Sequence, residues 1–293
     1  MKRQELTVAE GLKWLNDFSE RIELPEDSRK EIVYLYENEC KHINRLKEKR
    51  LTVVTAQKIL IREKILKKDK ASLYLLAAVM LKAKDTLAAY REKNISDEIF
   101  YATMKDITVW SENFRREKGA VGIENLSWIQ NHLNCKIFRL GRLQFQPFLF
   151  YLPPYVSKKK IINADIKIGE KVLNVHIPQG EKLSEEEFEK SFRIAEEFFK
   201  NTQYKAFICD SWLLCERNKE FMAKDSNILR FADMFDILGS SENSAQTIER
   251  VFGKKEKKPE LYPENTSLQK RCKNYILSGG KPGTGFGIIR IKK

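Results

Sequence analysis

The sequence predicts an α+β protein in two parts, a helical domain over residues 1–120 and a mixed α/β domain over residues 121–293. Three observations carry this. Apolar residues recur three and four apart along the first part, which is the period of helices that bury one face. Gly119 and Gly122 then interrupt the pattern. From Lys136 the period shortens toward that of strands, with Ile137, Leu140, Leu143, Phe145, Phe148 and Phe150 as its apolar positions.

Each element has a local reason. Thr7 and Glu10 form a capping box ahead of Val8, Leu12, Leu15 and Ile22, and Pro25 and Asp27 open a second helix through Ile32, Leu35, Tyr36, Ile43 and Leu46. Residues 72–90 carry a stripe of Leu76, Val79, Met80, Ala83 and Leu87. Ser96 precedes a helix through Met104, Ile107, Trp110 and Phe114, and a short helix carries Trp128, Ile129 and Leu133. These aromatic positions read as core. In the strand region Pro147 suggests an edge or a bulge. Pro153 and Pro154 turn the chain, and 165–169 turns into a strand over 171–177. Ser184 and Glu187 make an S-x-x-E box before a helix with Phe188, Phe192, Ala195 and Phe199 on one face. A strand at 205–213, a helix at 226–234 and a short strand at 235–238 follow. The tail holds helices at 245–252 and 268–277 and a last strand at 285–291. The string G-G-K-P-G-T-G-F-G gathers Gly, Lys and Thr, yet it feeds I-I-R-I-K-K. A phosphate loop must feed a helix, so this one reads as a turn into a terminal strand.

Composition narrows the function classes. A hydrophobic fraction of 42% beside 32% charged residues is that of a globular chain, and no run approaches the roughly 18 apolar residues that cross a bilayer. The start M-K-R-Q-E-L-T has no secretory stretch, so a cytoplasmic location without membrane insertion is expected. Cys40, Cys135, Cys209, Cys215 and Cys272 are odd in number and scattered, which argues for reduced thiols and against a metal site. The net charge of +13 favours polyanions. Residues 41–70 crowd Lys and Arg against only Glu48, Glu63 and Asp69, but have no aromatic to stack on bases, so nucleic acid is a weak candidate partner.

Chemistry concentrates between Val172 and Phe231. There an apolar strand runs through Gly180 into a capped helix, and a helix N-terminus offers unpaired N–H groups to an anion. His176 ends the first strand beside that turn, whereas His42 and His132 lie in helices. With an ordinary titration near pH ~6.5, His176 is the candidate base, against the plainer role of a structural hydrogen bond. Asp210 and Ser211 end the partner strand and face opposite ways, so at most one shares a pocket with His176, to orient it or to meet a leaving group. Cys209 as a nucleophile competes with a small buried thiol inside F-I-C. Arg139 and Arg142, three apart on a strand, offer at most one guanidinium to an anion, with a surface ion pair as the alternative. Ser226 and Asn227 are equal candidates for the cap of the helix they open.

Read together, R-L-G-R-L-Q-F-Q (139–146), V-H-I-P-Q-G (175–180), C-D-S-W-L-L (209–214) and S-N-I-L-R-F (226–231) resemble a bacterial acyltransferase family that joins a helical N-terminal domain to a GNAT-like N-acyltransferase domain. The resemblance implies a GNAT-like mixed α/β acyltransferase domain in the second half. It implies acyl-coenzyme A as donor, an amine on a small molecule or peptide as acceptor, and no metal. It further implies a slot where two neighbouring parallel strands, 173–177 and 207–211, part to expose backbone N–H groups to a thioester. By that resemblance Val175 and Ile177 flank the slot, Gln179, Gly180, Lys182 and Ser184 form the pyrophosphate turn, Asn227 meets the pantetheine amides, and Trp212, Leu213 and Leu214 fill core or line the acyl channel. Two departures stand out. The family loop usually reads Q/R-x-x-G-x-G/A where this chain has Q-G-E-K-L-S, and no Tyr lies between Asp210 and Ile248 to protonate the thiolate. A non-catalytic acyl-CoA or small-molecule binding module on the same scaffold and a basic RNA-associated protein are the alternatives.

Overall fold

The computed structural model describes residues 7–253 and 255–291. The chain divides into two compact units, 1–140 with 178–180, and 141–177 with 181–293.

The first unit contains helices α1 (Val8–Arg21), α2 (Glu26–Lys47), α3 (Val53–Lys67), α4 (Ala71–Glu92), α5 (Asp97–Lys118) and α6 (Leu126–Leu133), and strand β1 (Phe138–Leu140). Thr7 and Glu10 cap α1 reciprocally, at 3.2 Å from the Glu10 N–H to the Thr7 hydroxyl and 2.9 Å from the Thr7 N–H to the Glu10 carboxylate. Gly119 and Gly122, which suggested a boundary, lie within this unit. Gly119 ends α5 at φ 69°, and Gly122 lets the backbone approach α4, since a Cβ there would meet the Ser72 Cβ at 2.5 Å. Phe18, Tyr36, Tyr90 and Phe100 are fully buried, while Trp110, Phe114 and Trp128, read as core, are half-buried. The Trp110 and Trp128 indoles both donate to one oxygen of the buried Asp106, at 3.2 and 2.6 Å, and His132 Nε2 meets the same oxygen at 3.1 Å.

The second unit contains β2 (Leu143–Leu149), α7 (Lys158–Asn163), β3 (Lys171–His176), α8 (Glu185–Phe198), β4 (Ala206–Ser211), α9 (Asn218–Phe221), α10 (Asn227–Asp233), β5 (Asp236–Ser241), α11 (Ala245–Phe252), α12 (Ser267–Leu277) and β6 (Thr284–Arg290). Its strands are ordered β2-β3-β4-β6-β5. The β2–β3 and β4–β6 pairs are antiparallel, β3–β4 is parallel, and the last strand of the chain enters between β4 and β5. Sequence reading ran β4 on to residue 213. It stops at Ser211 instead, because the Ser211 hydroxyl accepts the Leu213 N–H at 3.2 Å and winds 212–214 into a 3₁₀ turn.

Period-two alternation sorts the sheet's side chains. Val172, Ala206, Ile208, Phe286 and Ile288 pack on one face with Phe150, Val156 and Ile161 of α7. Phe145 and Phe207 point to the other face, where the Phe192 ring of α8 meets them at 5.7 and 4.9 Å. Pro147 sits opposite Leu173 within β2. The Leu173 backbone groups face β4 rather than β2, so the missing Pro147 N–H costs that ladder nothing.

The glycine string resolves as a close approach of strands. A Cβ on Gly285 would lie 2.0 Å from the Leu214 carbonyl oxygen, and one on Gly283 would lie 1.9 Å from that of Ser241. Both obstacles are backbone. Gly285→Ala is expected to cost about 1–3 kcal/mol or more, seen as a lowered urea midpoint, and an unchanged midpoint would show that β6 can shift away freely.

Candidate active site

The sheet opens between β3 and β4. Lys205 N–H donates to the Lys171 carbonyl at 2.9 Å, and the register then runs through Leu173↔Phe207 and Asn174↔Ile208, where it ends. On their outer sides the same strands stay paired further, β3 with β2 as far as His176 and β4 with β6 as far as Ser211. Two strands held at their outer edges but unpaired between them form a wedge. The Lys171 carbonyl faces β4, while the Lys205 carbonyl takes the Ile291 N–H on the β6 side, so by alternation the backbone groups of Val175 and Asp210 turn into that wedge.

The same alternation decides which side chains share a face. Continued by two residues, the register sets His176 across the opening from Asp210. Both follow the even-numbered face, while Val175, Cys209 and Ser211 follow the other. Of the two end-of-strand candidates, Asp210 therefore shares the face of His176. Ser211 is buried, with its hydroxyl engaged in the turn after β4.

His176 Nε2 lies 2.9 Å from Gln146 Oε1, on the neighbouring strand β2. An amide oxygen only accepts, so this bond puts the ring proton on Nε2 and leaves Nδ1 as the basic nitrogen. Asp210 is held by two phenols. Tyr155 donates to Oδ1 at 2.5 Å and Tyr151 to Oδ2 at 3.4 Å. Both phenols are pushed up, first by burial and then by the Asp210 charge, so they remain hydrogen-bond donors. Sequence reasoning looked for a tyrosine after Asp210 and missed this pair. The available signal was Y-L-P-P-Y directly after β2, with prolines that turn the chain back toward the sheet.

Cys209 is 1% exposed, on the face opposite His176, and burial drives its thiol far up. A thiol nucleophile with His176 as base is thereby ruled out. Arg142 is not on the surface. It is buried, and its guanidinium donates to the carbonyls of Glu181 and Lys182 at 2.6 and 3.1 Å, tying down the turn before α8.

The turn itself is mixed in charge. Lys182 is exposed, and Ser184 caps α8 by accepting the Glu187 N–H at 3.4 Å. The Glu187 carboxylate takes the Ser184 hydroxyl at 2.9 Å, so the expected capping box is half formed. Glu185, Glu186 and Glu187 all occupy the first turn, with Glu185 paired to Arg230 at 3.2 Å. Gln179 and Gly180 belong to the first unit, where Gln179 accepts from Asn113 at 3.2 Å and Gly180 adopts φ 100°. Ser226, not Asn227, caps α10, through a 3.2 Å bond from the Ile228 N–H. Among the described residues no group of His, Cys, Asp and Glu is arranged to hold a metal ion.

Two family profiles match the chain in succession, one described as N-acyltransferase N-terminal domain over residues 14–135 and one as GNAT-like C-terminal domain over 137–289. The chain belongs to this acyltransferase family. Among solved structures, an acyltransferase in complex with decanoyl-CoA and teicoplanin is similar at 20% identity and a TM-score of 0.75, over 95% of this chain and 88% of that one. A mutant acyltransferase in complex with octanoyl-CoA is similar at the same identity and TM-score over 96% and 88%. An acyltransferase with CoA and 10C-teicoplanin again gives 20% and 0.75 over 95% and 88%. These likenesses establish the fold of the acyltransferase. No curated protein matches the chain.

Proposed function

We propose that this acyltransferase works in the cytoplasm, moving a medium-length acyl group from coenzyme A to a primary amine on a small molecule or peptide. The observation that carries the reading is the wedge between β3 and β4, since N–H groups freed from a sheet can hold a thioester oxygen as charge develops on it. In this reading pantetheine lies along Val175 and Ile177, and the Asp210 N–H faces the thioester. The pyrophosphate meets Lys182 and Ser184, with Asn227 toward the pantetheine amides. Lys182 supplies positive charge there, which the glutamates of α8 partly offset. The similar solved acyltransferases were captured with octanoyl- and decanoyl-CoA, which supports an acyl donor of that length.

Asp210, anchored by Tyr151 and Tyr155, receives the acceptor as its ammonium. The ammonium loses one proton to solvent to become the attacking amine, and His176 Nδ1 takes a second as the carbon–nitrogen bond forms. The carbon–sulfur bond breaks, and the imidazolium returns the proton to the departing thiolate.

Isothermal titration with decanoyl-CoA, followed by thiol release with pooled primary amines, tests the reading. Expected are saturable binding and amine-dependent thiol release. Asp210→Asn should raise KM for the amines by roughly ten- to a hundredfold, the worth of a charge-assisted hydrogen bond, with unchanged decanoyl-CoA affinity. Absence of binding, or thiol release indifferent to amines, would sink the proposal.

A further inference from the structure

Helix α3 is apolar on the side that has no neighbour. Val53, Val54, Ile61, Ile65 and Leu66 are 59%, 72%, 58%, 73% and 52% exposed, the densest such group among the described residues. At 3.6 residues per turn Val54, Ile61 and Ile65 fall within about 40° of one another. The helix's buried residues, Ala56 and Glu63, lie on the opposite side. A helix with apolar residues on both sides is ordinarily enclosed, and α3 is not.

Lys58 and Arg62 run along one flank of this crest, both exposed, while on the other flank the exposed Lys64 is paired with Glu124 at 2.8 Å. Glu63, the one acidic residue of α3, is turned inward and fully buried, with His42 Nε2 at 2.8 Å and Lys49 Nζ at 3.6 Å. Lys58 and Arg62 form no ion pair among the described residues, and Lys68 follows on the same helix end. The outward face thus presents branched aliphatic side chains beside the cations Lys58 and Arg62, unpaired among the described residues, with Lys64 neutralised by Glu124 on the far flank.

We propose that this face rests on an anionic lipid bilayer, with Val54, Ile61 and Ile65 entering the acyl boundary and Lys58 and Arg62 on lipid phosphates. Charge complementarity argues for that occupant. Aliphatic tips bordered by cations match a layer whose surface is anionic and whose interior is hydrocarbon. Among the described residues no helix is long and apolar enough to cross a membrane, so the contact lies on the surface and reverses readily. The expectation of no membrane partner rested on the lack of a spanning segment, which bears on crossing and not on adhesion. This inference is independent of the acyl-transfer chemistry.

Flotation of the full chain with vesicles tests it. Wild type should float with phosphatidylcholine vesicles containing about a third phosphatidylglycerol. It should float roughly tenfold less with phosphatidylcholine alone or in high salt. Ile61→Asp with Ile65→Asp, and separately Lys58→Glu with Arg62→Glu, should each cut flotation on anionic vesicles by roughly tenfold or more. These positions are exposed, so circular dichroism melts should match wild type and confirm folded variants. The proposal is overturned if wild type stays off anionic vesicles, or if the variants float as it does. It is equally overturned if wild type forms a dimer on sizing that Ile61→Asp with Ile65→Asp dissolves, since a second copy would then cover the face.

Discussion

His176→Ala is expected to lower kcat/KM for acyl transfer by a factor of about 100 to 10,000, the usual worth of a positioned general base, while decanoyl-CoA binds as before. The selectivity of that loss is the point. The proposed donor contacts come from backbone groups of the parted strands and from the turn before α8, none of which needs the imidazole. The ring is fixed by Gln146 on the adjacent strand, and this gives a second, graded measurement. Gln146→Leu leaves the imidazole present but no longer fixes its tautomer, so kcat should fall less than in His176→Ala, with KM for the donor unchanged. A variant without the imidazole that still turns over within threefold of wild type would remove the base assignment. The wedge would then act through proximity and N–H donors alone.

What was legible in the sequence follows from how local each signal is. Caps and periods depend on neighbours three or four residues away, so α1, α5 and α8 announced themselves through Thr7, Ser96 and Ser184. The parting of β3 and β4 entered only by resemblance, because it is a property of register between strands some thirty residues apart in the chain, and no single strand encodes it. Tyr151 and Tyr155 were hidden for the same reason. They reach Asp210 from 59 and 55 residues away, a distance at which spacing carries no information. Arg142 misled because a buried guanidinium satisfied by main-chain carbonyls looks, in one dimension, like an exposed one. The face shared by His176 and Asp210 needed only the parity of two strands and one register pair, Asn174↔Ile208. Parity was readable in the sequence, and register was not.

Phe207→Ala is expected to destabilise the second unit by about 3–5 kcal/mol, the larger of the structural effects and one that bears on the wedge. Phe207 is 1% exposed and belongs to the penultimate zipped pair, opposite Leu173. Its ring meets Phe192 at 4.9 Å and Phe145 at 5.6 Å, each edge-on. It therefore ties β4 to α8 and to β2 at the point where the seam begins to open. Removing the ring forfeits its transfer free energy, and the three-phenyl cluster cannot close around the space, because the backbones carrying Phe145 and Phe192 are fixed by β2–β3 pairing and by α8. Two variants separate this from a general intolerance of β4. Phe207→Leu refills most of the volume and should recover more than half of the loss. Cys209→Ala, two residues on along the same face, removes a single buried sulfur and should cost only about 1 kcal/mol. Urea midpoints give the ordering directly. If Phe207→Ala melted no earlier than Cys209→Ala, the seam would not depend on this cluster. The wedge would then have to be held open by the outer pairings alone, those of β2 with β3 and of β6 with β4.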